Sequence, residues 1–229
     1  MDNRIDTLAV GGLTRFSTVD YPGHLSTVVF CQGCPWRCSY CHNPHLQAPR
    51  KDSTWSWREI AEWLDSRHGL LEAVVFSGGE PLLQRGLDFA MYDVAEMGYR
   101  IGLHTTGMYP DRLASILPLV DWIGFDVKAP FDDYERITCA SSGGDALRAL
   151  SIVRASGVAH EVRCTVDETL LGADDGARLA KQLAEIGIDQ IVLQACRDPH
   201  DPRAQNRPIS PGFVSAMTPW IAQVEHRPS

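Results

Sequence analysis

Four of the chain's seven cysteines stand within eleven positions, Cys31-Gln-Gly-Cys34-Pro-Trp-Arg-Cys38-Ser-Tyr-Cys41. Thiolates carried by such short spacers can share one soft metal or cluster, and Cys34-x3-Cys38-x2-Cys41 brings three sulfurs into one tight loop. Three ligands would leave one iron of a cubic iron-sulfur cluster open. The alternative is a structural zinc site made of Cys31, Cys34, Cys38 and Cys41. Zinc pairs usually sit on knuckles separated by about a dozen residues or more, whereas three residues intervene here, so the spacing favours a cluster.

The elements that must hold this loop follow a repeating pattern. Ser26–Phe30 is a β-branched and aromatic run that delivers the chain into the cysteines, and reads as the first strand. Residues 54–64 carry apolar groups at helical spacing, with Ser53 and Thr54 as candidate N-caps. Strands are then expected at 73–76, 100–104, 121–127, 160–166 and 190–194. Helices are expected at 82–96, 111–117, 144–156, 173–186 and 211–224. Gly11–Gly23, rich in turn formers, reads as a lead-in rather than a buried element. Strands alternating with helices imply parallel βαβ units, and six of them imply an α/β fold, a partial open (β/α)6 barrel. In such folds the chemistry gathers at the C-terminal ends of the strands. The unusual residues fall there: Ser77-Gly78-Gly79-Glu80-Pro81, His104-Thr105-Thr106-Gly107, Asp126 with Lys128, and Gln194. The expected organisation is one domain over 1–229, with 1–25 as lead-in and 197–229 as tail.

Composition narrows the classes. With 44% hydrophobic and 22% charged residues the chain reads as a globular enzyme. A net charge of -8 argues against a nucleic-acid partner, which needs a basic surface. No segment reaches the roughly 18 apolar residues of a membrane span. The bunched cysteines do not resemble a secreted disulfide framework, so a reducing, cytoplasmic setting is expected.

The Cys34, Cys38, Cys41 spacing, Tyr40 just before the third cysteine and Gly78-Gly79-Glu80 after the second strand together resemble the radical S-adenosylmethionine (SAM) enzymes. That resemblance implies a [4Fe-4S] cluster on the three cysteines, with the fourth iron chelated by SAM, and leaves Cys31 outside the ligand set. The narrower resemblance is to activating enzymes of glycyl radical enzymes, on Gly11-Gly12-Leu13, Thr18-Val19-Asp20-Tyr21-Pro22-Gly23 and Phe30 through Pro44. Within these it is to the activators of anaerobic ribonucleoside-triphosphate reductase. It implies hydrogen abstraction from a backbone glycine of a partner protein, and a low-potential electron donor such as flavodoxin or ferredoxin.

By the same resemblance Tyr40, Gly78, Gly79, Glu80, Thr105, Arg163 and Gln194 are expected around SAM, and Asp126 and Lys128 near SAM or the substrate backbone. Trp36 and Pro35 are expected to cover the cluster. The ordinary readings stand beside these. Glu80 could cap the helix that Pro81 opens; Asp126 and Lys128 could form a surface ion pair; Arg163, in the middle of a strand, needs some partner in either case. His104 stands where relatives often carry an acidic residue, and can be a hydrogen-bonded core residue. Gln194 stands where some carry histidine. Cys139, Cys164 and Cys196 read as small buried or half-buried residues. Two rival functions remain: a radical SAM enzyme acting on another glycyl radical enzyme, a peptide or a small molecule, and a zinc-binding interaction protein.

Overall fold

A computed structural model describes residues 8–49, 55–197 and 208–227. Eight strands lie in one open sheet in chain order: β1 Val10–Ser17, β2 Ser26–Cys31, β3 Ala73–Gly78, β4 Arg100–Thr105, β5 Trp122–Val127, β6 Ala159–Val166, β7 Gln190–Ala195 and β8 Gln223–Arg227. β1 runs antiparallel to β2, while β2–β3, β3–β4, β6–β7 and β7–β8 are parallel pairs. The six expected strands are all present, and the open β/α architecture with them.

Two strands are additional. Gly11–Ser17, expected as a lead-in, is most of β1, which follows β2 with two breaks in register. The expected final helix stops early: the helix is Pro211–Met217, and Gln223–Arg227 pairs with β7 as an edge strand. Its polar sequence lacks the apolar signal of a central strand.

The described residues fall into two compact units, each drawn from several stretches of chain. The first comprises Met1–Pro35, Asn43–Thr105 and Asp111–Gly124. Its strands β2 and β3 are almost continuously apolar because both faces are covered, with Val28, Val29, Val74, Val75 and Phe76 fully buried. Helix α1, Trp57–Asp65, starts at Ser56, whose side chain accepts from Glu59 N while Glu59 accepts in return. The candidate caps Ser53 and Thr54 lie outside the described residues. The helix expected from 82 breaks into a 3-10 turn, Pro81–Leu83, and helix α2, Leu87–Glu96. The α1 residue Trp57 is buried and donates its indole N–H to Asp93 at 2.8 Å, as packing of that helix requires.

The second unit comprises Trp36–His42, Thr106–Pro110 and Phe125–Ser229. Its β6 and β7 bury Cys164, Val166, Ile191, Val192 and Leu193. Helix α5, Gly143–Ser156, ends at Gly157 in the left-handed conformation that glycine adopts without penalty. Helix α6, Ala173–Glu185, approaches the Pro211–Met217 helix at Gly176, where a Cβ would press on the ring of Phe213.

Candidate functional site

The start of the cysteine loop is fixed in the first unit by backbone bonds on two sides. Cys31 ends β2 and lies in register with Gly78 at the end of β3. Gly79 N donates to Cys31 O at 2.9 Å and Glu80 N to Gly33 O at 3.0 Å. On the other side Gly33 N donates to Leu46 O at 2.7 Å and Cys34 N to Gln47 O at 3.0 Å. The contacts explain the glycines. A Cβ on Gly78 would collide with the Cys31 backbone, one on Gly79 with Gly33 O, and Gly78 has φ +116°. The two glycines therefore seat the 78–80 turn against the incoming strand, a role that spacing along the sequence does not disclose.

Glu80 is fully buried, and its Oε1 accepts from Leu82 N at 3.0 Å and from the Thr105 hydroxyl at 2.7 Å. The capping geometry is thus present, with Thr105 at the end of β4 drawn to the same carboxylate. Nε2 of His104 donates to Asp20 O at 2.8 Å, and its ring meets Trp122 edge-on at 5.6 Å, so this histidine has the hydrogen-bonded packing of a core residue. Cys31 is fully buried, and burial with the neighbouring Glu80 carboxylate pushes its thiol far above the ordinary range. A thiol enclosed in this way at the end of β2 is less accessible to a metal than those of the three cysteines that follow, which weighs against a four-cysteine zinc site.

In the second unit the loop continues through Trp36–His42. Arg37 N donates to Thr138 O at 2.9 Å, and Cys41 N closes a turn on Cys38 O at 3.2 Å. Trp36 is buried edge-on against Tyr134, whereas Pro35, the other expected cover, is exposed. Tyr40 is buried and its hydroxyl donates to Lys128 O at 3.4 Å, tying the third-cysteine turn to the end of β5. Burial holds that hydroxyl well above its usual pKa.

Lys128 Nζ lies 3.7 Å from Asp126 Oδ2, and the lysine side chain is 13% exposed, so this is a largely enclosed ammonium rather than a surface pair. Burial would lower the pKa of Lys128, but Asp126 and the thiols of Cys38, Cys164 and Cys41 outweigh it and raise it. The ammonium in turn offsets part of the burial penalty on the Cys38 thiol, whose pKa is nonetheless raised. Beside the turn, Arg197 N donates to His42 Nε2 at 3.4 Å; burial, Lys128 and Arg197 all lower that histidine's pKa.

Arg163 has the partner that a mid-strand arginine requires. Its Nε donates to Glu161 Oε1 at 2.8 Å, and Arg227 from β8 grips the same carboxylate with Nη1 at 3.0 Å and Nη2 at 2.8 Å. The sequence signal for this is only the two-residue alternation of Glu161 and Arg163, and Arg227 gives none. Gln194 is half-buried, opposite Thr165 on β6 and Arg227 on β8. Cys164 is buried, its thiol pushed up to about 12, and Cys196 is half-buried. Cys139 departs from expectation: it is exposed, with φ +57° at the end of helix α4, Tyr134–Thr138.

Cys34, Cys38 and Cys41 are in no disulfide and have intermediate exposure. Among the described residues no three His, Cys, Asp or Glu side chains are already arranged around a metal position. As a donor set, three accessible unoxidised thiols on a loop anchored at its base fit a cluster that takes three protein ligands.

Comparison with known proteins agrees with this chemistry. The model of the Radical SAM superfamily matches residues 28–176. A Methanocaldococcus jannaschii protein, provisionally named a glycyl-radical enzyme activating enzyme, is 29% identical over 209 residues, covering 87% of this chain and 85% of its own. A pyruvate formate-lyase-activating enzyme of Clostridium pasteurianum is 32% identical over 197 residues, covering 80% of each chain. Among solved structures, a radical SAM methyltransferase from Sphaerobacter thermophilus superimposes with a TM-score of 0.68 at 20% identity, over 91% of this chain and 67% of that one, a likeness of fold.

Proposed function

Because the chain belongs to the radical SAM superfamily, among the activating enzymes of glycyl radical enzymes, we propose that Cys34, Cys38 and Cys41 hold a single [4Fe-4S] cluster and that SAM completes it. A cluster held by these cysteines would supply the low-potential electron that reductive cleavage of SAM needs, chemistry that would end in loss of a hydrogen atom from a glycine of the partner. The chain's own residues have the following parts. Lys128 keeps a positive charge near the Cys38 sulfur and offsets part of the burial penalty on its ionised form. Tyr40 fixes the turn that carries Cys41. The turn at Gly78, Gly79 and Glu80, seated by its backbone bonds, offers carbonyls to the methionine ammonium. Thr105 steadies Glu80, Arg163 offers a guanidinium to the methionine carboxylate, and Gln194 offers an amide to the ribose. Asp126 holds Lys128. The whole of 1–229 acts as one radical SAM domain in the cytoplasm, reduced by a low-potential donor such as flavodoxin or ferredoxin.

The observation that carries the reading is the set of three partly exposed cysteines, in no disulfide, at C-x3-C-x2-C spacing on a loop whose start is zipped to the Gly78–Glu80 turn. For the partner, the Gly11–Gly23 and Phe30–Pro44 signatures favour anaerobic ribonucleoside-triphosphate reductase. A second reading, pyruvate formate-lyase, is favoured by the 32% identity to an activating enzyme of that name. Incubating reconstituted protein with SAM, a reductant and each purified partner separates them, with the glycyl radical followed by electron paramagnetic resonance (EPR). A radical in the reductase alone supports the first reading, and a radical in the lyase alone the second. SAM cleavage with no radical in either would leave a peptide or small-molecule substrate. One tightly held zinc and no iron would overturn the cluster assignment.

A further inference from the structure

We infer that Gln32 is the positioning residue of the cysteine loop, its side-chain amide clamping the strand that enters the loop to the segment that leaves it; the inference rests on the cluster assignment above. Gln32 is 5% exposed. Its Nε2 donates to His45 O at 3.1 Å and to Ala48 O at 2.5 Å, so both amide hydrogens are spent on carbonyls beyond the last cysteine. The residue is itself braced. Its backbone N donates to Ala9 O at 2.8 Å, and its carbonyl accepts from Gln84 Nε2 at 2.5 Å. Gln84 Oε1 accepts from Ala9 N at 3.1 Å, and the Arg112 guanidinium donates to the Gln84 carbonyl.

Buried amide bonds linked in this way favour one geometry. Room has been left for it: a Cβ on Gly11 would run into Gln32 Oε1 and the Leu46 side chain. Gly11 therefore serves the amide, which gives this glycine of the N-terminal signature a physical reason.

The consequence falls on the proposed ligands. Without the two amide bonds, the backbone pairs Gly33 to Leu46 and Cys34 to Gln47 are left to close the base of the loop. A looser base lets the thiols sample more arrangements, and cluster binding must then restrict them. Changes to groups that support ligands typically weaken metal binding about 10- to 100-fold.

The test uses the full-length reconstituted protein. Gln32→Met keeps length and volume while removing both donors, and Gly11→Ala keeps the amide while displacing it. Anaerobic iron release to a ferrous chelator, the EPR spectrum of the reduced cluster and thermal unfolding of the iron-free protein are read in parallel. Both variants are expected to release iron about tenfold faster than wild type and to show an altered EPR line shape. Their iron-free melting temperatures should stay within about 2 °C of wild type. Iron release at the wild-type rate in Gln32→Met would overturn the inference, as would an iron-free melting temperature that falls in step with iron retention. If Gln32→Met does not fold, Gly11→Ala decides by the same criteria. A wild-type protein that takes up no iron would overturn the cluster assignment itself, a distinct failure.

Discussion

Glu161 sits under two arginines, and the balance around it sets a pH dependence. Burial pushes its carboxyl up, but Arg227 and Arg163 outweigh that and hold it below the usual carboxylate range. A group depressed on folding stabilises the fold above its unfolded pKa, and that stability is lost as pH falls through the folded value. Glu161→Gln should therefore cost about 2 kcal/mol at pH 7, because two guanidiniums lose their counter-charge. The difference from wild type should shrink below about pH 4, as denaturant unfolding at several pH values would show. At the cysteines, Cys34→Ala, Cys38→Ala and Cys41→Ala should each abolish SAM cleavage and iron retention. Cys31→Ala should keep its iron and lose about 1 kcal/mol of stability through the small cavity left. Turnover surviving in any of the first three would remove that residue from the ligand set.

Among the elements, the 78–80 turn is the most tightly specified. Gly79→Ala would drive a methyl group into the carbonyl of Gly33, an atom of the backbone rather than a side chain that can swing away. A loss of about 3 kcal/mol is expected, with a poorer yield of reconstituted cluster than a stability-matched core mutant gives. Most of the strands β2 to β7 were legible because both-face burial writes them as short apolar runs, Ala73–Phe76 being the plainest, whereas β6 mixes His160, Glu161 and Arg163 among its valines. β1 and β8 were not. Gly11 looks like a turn residue until the need for space beside Gln32 and Leu46 is visible, and Gln-Val-Glu-His-Arg is an edge strand with little to bury. The helix expected from residue 82 fails at Gly86, the N-terminal boundary of α2. Local periodicity does not register a break of that kind.

For the whole molecule, what the sequence conveyed best was chemistry that depends on spacing, and what it conveyed least was chemistry that depends on contact. Cys34, Cys38 and Cys41 announce themselves within eight positions, whereas Glu80 with Thr105, or Arg163 with Glu161 and Arg227, are pairings that only folding creates. Reconstitution tests the assembly at this scale. Roughly four irons per chain are expected, with a melting temperature at least about 5 °C above the iron-free protein that falls again on chelation. An unchanged melting temperature at full iron loading would place the iron somewhere other than on this anchored loop.

The bracing of Gln32 by Gln84, and of Gln84 by Arg112, also has a temporal side. A ribosome releases residues 31–48 well before residues 78–84 and 112 exist to hold them. During synthesis the local bonds that close the cysteine loop thus lack the bracing of Gln84 and Arg112 until the third strand, the turn behind it and residue 112 have emerged.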